Sequence, residues 1–202
     1  MPVVDSYPTA QRAPELATPG AKQRILETAN RLFYEEGINS VGVDKLISSS
    51  SVTKATFYKH YGAKDRLILE YLRGQHRLVE ERLDGIVATA RRPEDAVLGL
   101  IDAIVAEIHR PGFRGCAFIN AAAEFADPRH PVRDIVSSHR DWYTGRLTDL
   151  LRDAKHPMPG DAADELMLAR DGAMSGAYAG DSVSATAALQ RVAARIVTET
   201  GR

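Results

Sequence analysis

From Ile25 onward the apolar residues return at intervals of three and four, the spacing of one helix face, and beyond Lys64 no stretch alternates as a half-buried strand does. Ile25, Leu26, Ala29, Leu32 and Phe33 form a first stripe that stops at Gly37, with Thr18 as N-cap and Pro19 as first helical position. Val43, Leu46 and Ile47 form a second, short stripe. The serines at 48–51 end it, because their hydroxyls bond nearby backbone and favour turns over helix interiors. Thr53 then stands where an N-cap belongs, and Ala55, Thr56, Phe57 and Tyr58 carry a helix of about two turns.

The longer stripes follow. Leu67, Ile68, Tyr71, Leu72, Leu78, Val79, Leu83 and Ile86 predict a helix from about Ala63 to Ala90, near 40 Å long at ~1.5 Å per residue. Pro93 opens another through Val97, Leu98, Ile101, Ile104, Val105 and Ile108, which Pro111-Gly112 stops. A short helix from about Gly115 to Phe125 ends before Asp127-Pro128, and a long one runs from His130-Pro131 to near His156-Pro157. Two more follow Pro159-Gly160 and Gly180-Asp181. The expected fold class is all-α.

A helix as short as the one after Thr53 is not stable alone in water, so Val52, Phe57 and Tyr61 must pack it against neighbours. Lys54, Thr56, Tyr58, Lys59 and His60 are left outward, a set rich in partners for phosphates and base edges. Two short helices across a tight turn form a helix-turn-helix, whose second helix enters the DNA major groove. The competing reading is a helical hairpin whose lysines are merely solvated.

Over 202 residues the net charge is -1, which alone would speak against DNA. The distribution answers this. Between Thr53 and Arg66, Lys54, Lys59, Lys64 and Arg66 stand against Asp65, four minus one leaving +3, while carboxylates collect at Glu80-Glu81, Glu94-Asp95 and Asp161 to Glu165. No apolar run approaches the ~20 residues that span a bilayer. The proline-bearing stretch over residues 1–17 reads as a disordered arm and not a signal peptide, and the single Cys116 excludes an internal disulfide framework and suits a cytoplasmic protein.

The span from about Thr18 to Leu72 resembles the DNA-binding domain of the tetracycline-repressor (TetR) family of one-component regulators. The resemblance rests on the stripe of the first helix, on Gly37, and on Val52-Thr53-Lys54-Ala55-Thr56-Phe57-Tyr58-Lys59-His60-Tyr61 with Lys64-Asp65 and Leu67. It implies three parts: an N-terminal arm over 1–17, a three-helix DNA-binding domain over 18–62, and a helical effector-binding and dimerisation domain over 63–202. It further implies DNA contacts at Ser40, Thr53, Lys54, Ala55, Thr56, Tyr58, Lys59, His60 and Lys64, with Lys64 gripping a phosphate. Two positions depart from the family pattern. Ser51 replaces a usual glycine, costing ~1 kcal/mol if the turn needs a positive φ, and Ala63 replaces a capping Ser or Thr, costing roughly 0.5–2 kcal/mol.

The resemblance also implies a homodimer through the last two helices, reading a palindromic operator. Their small-residue faces, Ala169, Ala173, Gly176 and Ala177 and then Ala185, Ala188, Leu189, Val192, Ala193, Ile196 and Val197, suit such an interface, with intrachain packing as the alternative. A small apolar effector of unknown identity would sit among the middle helices. Phe113, Cys116, Phe118, Asn120, Glu124, His139, Trp142, Tyr143, Met174 and Tyr178 are its candidate contacts, each with a plain core role as the alternative. The segment from Gly115 to Phe125 looks like one found in a subgroup of these regulators. Cys116 is either a redox sensor or an inert buried thiol. No Gly-rich phosphate loop, metal-spaced histidine pair or nucleophile elbow is present, so no catalytic residue, metal site or cofactor is expected. A helical interaction module without DNA binding is the remaining alternative.

Overall fold

A computed structural model describes residues 19–200, and among these every regular element is a helix. The expected arm over 1–17 and the Thr18 cap lie outside the described residues. The elements are α1 (Ala21–Glu36), α2 (Val43–Ser49), α3 (Lys54–Tyr61), α4 (Lys64–Thr89), α5 (Pro93–Ile108), α6 (Ala117–Glu124), α7 (Pro131–Asp153), α8 (Pro159–Tyr178) and α9 (Ser182–Thr198).

α1 begins two residues later than Pro19 predicts. Gly20 is its N-cap in extended conformation, and Arg24 reaches back to donate to the Pro19 carbonyl at 2.7 Å. The head, α1 to α3, closes around Ile25, Ala29, Leu32, Ile38, Leu46, Phe57 and Tyr61, all buried. Burying each of the larger apolar side chains among them stabilises by roughly 1.5–3 kcal/mol, which is how eight-residue α3 holds its shape. The head is not an isolated unit: Leu67, Ile68, Tyr71 and Leu72 of α4 continue its core, and Tyr71 meets Phe33 edge-on at 5.6 Å. α4 then runs into the body, where α5, α7, α8 and α9 pack together and α6 lies between α4 and α7.

The terminal helices use part of their small-residue stripe inside the chain. Leu189, Ala193 and Ile196 are buried within the chain, because α5 packs on α9. A Cβ on Gly176 of α8 would lie 3.7 Å from the Ala185 methyl, so the small residues serve the close approach of α8 to α9. The outward faces of this pair instead carry Leu168, 71% exposed, and Val183, 76% exposed.

Candidate nucleic-acid interface and the cavity behind it

The α2–α3 turn is built by serines. Ser50, buried, donates its hydroxyl to the Leu46 carbonyl at 2.6 Å, while Arg24 Nε donates to the Ser50 carbonyl and ties the turn to α1. Ser51 follows at φ 52, the left-handed region a glycine would occupy more easily. Thr53 caps α3: its Oγ1 accepts from the Thr56 amide at 3.1 Å and lies 2.8 Å from the Thr56 hydroxyl. With Phe57 and Tyr61 facing inward, Lys54, Ala55, Tyr58, Lys59 and His60 are exposed on the opposite side. The Tyr61 hydroxyl donates to the Lys22 carbonyl, fixing the end of α3 to α1, and burial pushes its pKa up to about 12. The Tyr58 ring stands edge-on to Phe57 at 5.5 Å and is itself exposed. Ser40 is exposed in the α1–α2 turn. One face of a capped helix therefore presents cations and hydroxyls, as groove reading requires.

Lys64 is placed differently from the expectation of a phosphate grip. Its Nζ donates to the Ile38 carbonyl at 2.6 Å and lies 5.8 Å from the Phe33 ring centre, and burial pulls its pKa below the usual lysine range. Ala63, at the N-cap of α4, offers no side-chain cap, as its identity dictates.

Behind the head a cavity of about 300 Å³ lies between α4, α5, α6, α7 and α8. Val79, Leu83, Leu100, Ile104, Phe118 and Met174 give it an apolar wall. A second space of about 230 Å³ lies on the other side of Cys116, Phe118 and Arg170. Of the ten expected contacts, Cys116, Phe118, Tyr143 and Met174 line the first cavity, and His139 lines the second with Cys116 and Phe118.

The other five are used elsewhere, for reasons the long-range packing supplies. Glu124 accepts from the backbone amides of Ile38 at 2.9 Å and Asn39 at 2.6 Å, latching the end of α6 to the α1–α2 turn. Gly37, at φ 93, brings the backbone within reach of that carboxylate, to which a Cβ would come within 3.4 Å. Asn120 donates to the Arg114 carbonyl and fixes the loop before α6. Trp142 packs edge-on against His76 at 4.8 Å, Phe113 packs on the core from outside the cavities, and the Arg114 guanidinium covers the Tyr178 ring.

Tyr34, Glu107 and Arg170 are among the cavity residues absent from the expected set. Tyr34, from α1, lines the first cavity; its hydroxyl donates to the Gly115 carbonyl at 3.1 Å and accepts from the Arg114 amide at 2.9 Å. Glu107 lines the wall between Arg82 and Arg110, at 3.5 and 2.8 Å. Arg170 borders both cavities, 7% exposed, with its guanidinium over the Tyr143 ring at 4.9 Å. An arginine on the mostly small and apolar face of α8 was its available signal. His139 stacks on Phe118 at 3.6 Å and shares a 3.0 Å Nδ1 to Nδ1 hydrogen bond with His76. Burial, aided by Arg170, His76 and Arg140, lowers its pKa to about 3, so it is neutral at neutral pH.

Comparison with known proteins matches both halves of this architecture. Residues 25–71 match the family model of bacterial regulatory proteins of the tetR family, and residues 93–195 match that of the tetracyclin repressor-like C-terminal domain. The structure is similar to that of SCO4454, a TetR-family transcriptional regulator from Streptomyces coelicolor, with a TM-score of 0.86 and 36% identity, covering 90% of this chain and 96% of that one. The transcriptional regulator AcuR of Cereibacter sphaeroides is 27% identical over 169 residues, 77% of this chain and 75% of its own length. The transcriptional repressor DhaR of a Mycobacterium species is 22% identical over 126 residues, 60% of this chain and 58% of its own length. Among the described residues no helix is long and apolar enough to cross a membrane. The helix-turn-helix head and the helical body are thus each matched in their own right, and the chain belongs to the TetR family of DNA-binding transcriptional regulators, which are transcription factors and not enzymes.

Proposed function

We propose that this regulator is a homodimeric repressor that acts in the cytoplasm, holds an inverted-repeat operator and leaves it when a small molecule with a largely apolar body fills the cavity. The observation that carries this reading is Tyr34, a residue of the head's first helix that lines the cavity and bonds to both Arg114 and Gly115. A ligand pressing on the 113–117 segment acts on α1 directly. The Glu124 latch gives α6 a second hold on the α1–α2 turn, so movement of α6 carries to the seat of α3.

Two copies are needed because α3 is too short to read more than one half-site. The exposed apolar groups Leu168 and Val183 on the outer faces of α8 and α9 support an isologous contact there. The repressor sense draws support from DhaR, which is named a repressor. A ligand can release DNA only in proportion to its preference for the conformation with misplaced recognition helices.

The test is fluorescence anisotropy with the chain's own upstream duplex, run beside sedimentation and repeated across a compound library. The expected result is a dimer that binds with two-fold symmetry and that some compounds release. A monomer at micromolar concentration, or operator affinity that no compound changes, overturns the reading.

A further inference from the structure

Arg170, which borders both cavities, has no carboxylate to itself. Asp171 is shared: Arg170 Nη1 donates to its Oδ1 at 2.6 Å, and Arg140 pairs with its other oxygen. Glu107 is likewise shared between Arg82 and Arg110. Arg82, Arg110 and Arg140 are partly exposed and screened by water, whereas Arg170 is buried and shares its carboxylate with Arg140, and His139 adds no positive charge at neutral pH. Uncompensated charge in a low-dielectric site is costly, and an anion relieves it.

Arg170 is where that relief is available. It is buried, and its Nε–H has no acceptor among the described residues. The neighbouring Nη2 meets only the Cys116 sulfur, at 3.6 Å, and sulfur is a weak acceptor. The Nε and Nη2 hydrogens form one edge of the planar guanidinium, the edge that grips a carboxylate with two parallel hydrogen bonds. The opposite corner is fixed by Asp171 and the face by Tyr143, so the guanidinium is held in one orientation.

We infer that the effector is a carboxylic acid with an apolar body, its carboxylate held by the free edge of Arg170 in place of the Cys116 sulfur and its body lying against Val79, Leu83, Leu100, Ile104 and Met174. This rests on the proposed effector role of the cavity and adds the chemical class. An uncharged ligand of the same shape leaves the Nε–H without a strong acceptor. Binding at Arg170 also loads Cys116, the N-cap residue of α6, one residue from the Gly115 carbonyl that Tyr34 holds.

The test is calorimetric titration of the full-length protein with octanoate and cinnamate and with their primary amides, on the wild type and on Arg170→Met, Arg170→Lys and Asp171→Asn. The carboxylates are expected to bind about tenfold or more tightly than the amides. Arg170→Met should erase that preference, Arg170→Lys should keep part of it, and Asp171→Asn should tighten carboxylate binding severalfold by freeing the guanidinium. If Arg170→Met fails to fold, the wild-type preference and the Asp171→Asn gain decide. Amides binding as well as carboxylates would overturn the carboxylate assignment and leave the effector role standing. No binding by any of the four, with DNA affinity unaffected by all of them, would overturn both.

Discussion

On α3 the ammonium groups of Lys54 and Lys59 and the ring of His60 stand in solvent with no hydrogen-bond or ion-pair partner among the described residues. Around the cavity, Arg82, Arg110, Arg140 and Arg170 are each paired to a carboxylate, and Lys64 is turned inward to a backbone carbonyl. A surface that reads an external polyanion must leave its cations available, because every phosphate contact replaces water and counterions. A buried charge without a partner is costly, so the body commits its ions to one another. Substitutions on α3 should accordingly change DNA binding with little effect on stability, and substitutions in the body the reverse.

The largest effect of that division is expected at His139. Its pKa of about 3 in the folded chain lies below the unfolded histidine value, so the unfolded chain binds the extra proton and stability is lost as pH falls below about 6.5. The expected loss between pH 7 and pH 4 is about 3 kcal/mol, and His139→Gln should remove that part of the slope while leaving DNA affinity at pH 7.5 unchanged. Urea unfolding of both proteins across this range measures it. Parallel slopes for wild type and variant would show that His139 is not held neutral.

Glu124→Ala comes next. It strips the acceptor from the Ile38 and Asn39 amides, for a loss of about 2 kcal/mol in thermal unfolding. It should also loosen the head, so operator affinity should fall although Glu124 faces no DNA. Unchanged stability and affinity together would remove the latch from the account.

Ser51→Gly is the smallest and runs the other way. Glycine adopts φ 52 without the Cβ penalty, so stability should rise by about 0.5–1 kcal/mol with DNA affinity unchanged or improved. A loss of stability would mean that the Ser51 side chain contributes more than its backbone costs.

The head was legible in the chain because its signals are local. Thr53 caps the helix it precedes, Phe57 and Tyr61 lie one turn apart, and the run of serines marks the turn between. Helix ends in the body were legible for the same reason, at Pro93, Pro131 and Pro159. The cavity was not. Glu124 meets residues 85 and 86 positions away, and Arg140 meets Asp171 across the packing of α7 on α8, contacts that no spacing along one helix encodes. The small residues of α9 form a stripe legible in the chain, but a stripe does not say which helix covers it; within the chain α5 and α8 cover its Leu189, Ala193 and Ile196.

The most direct test of the central claim, that α3 reads an operator in a two-fold dimer, is selection of duplexes from the genome by the wild type and by Lys54→Ala and Tyr58→Phe. The account predicts that the wild type retrieves one inverted repeat with half-sites about one helical turn or a multiple of it apart. Lys54→Ala should retrieve the same spacing with a changed base preference within each half-site. Tyr58→Phe should bind all sequences more weakly and alike. Retrieval of no common motif by the wild type, or variants that match it in affinity and preference, would contradict the account.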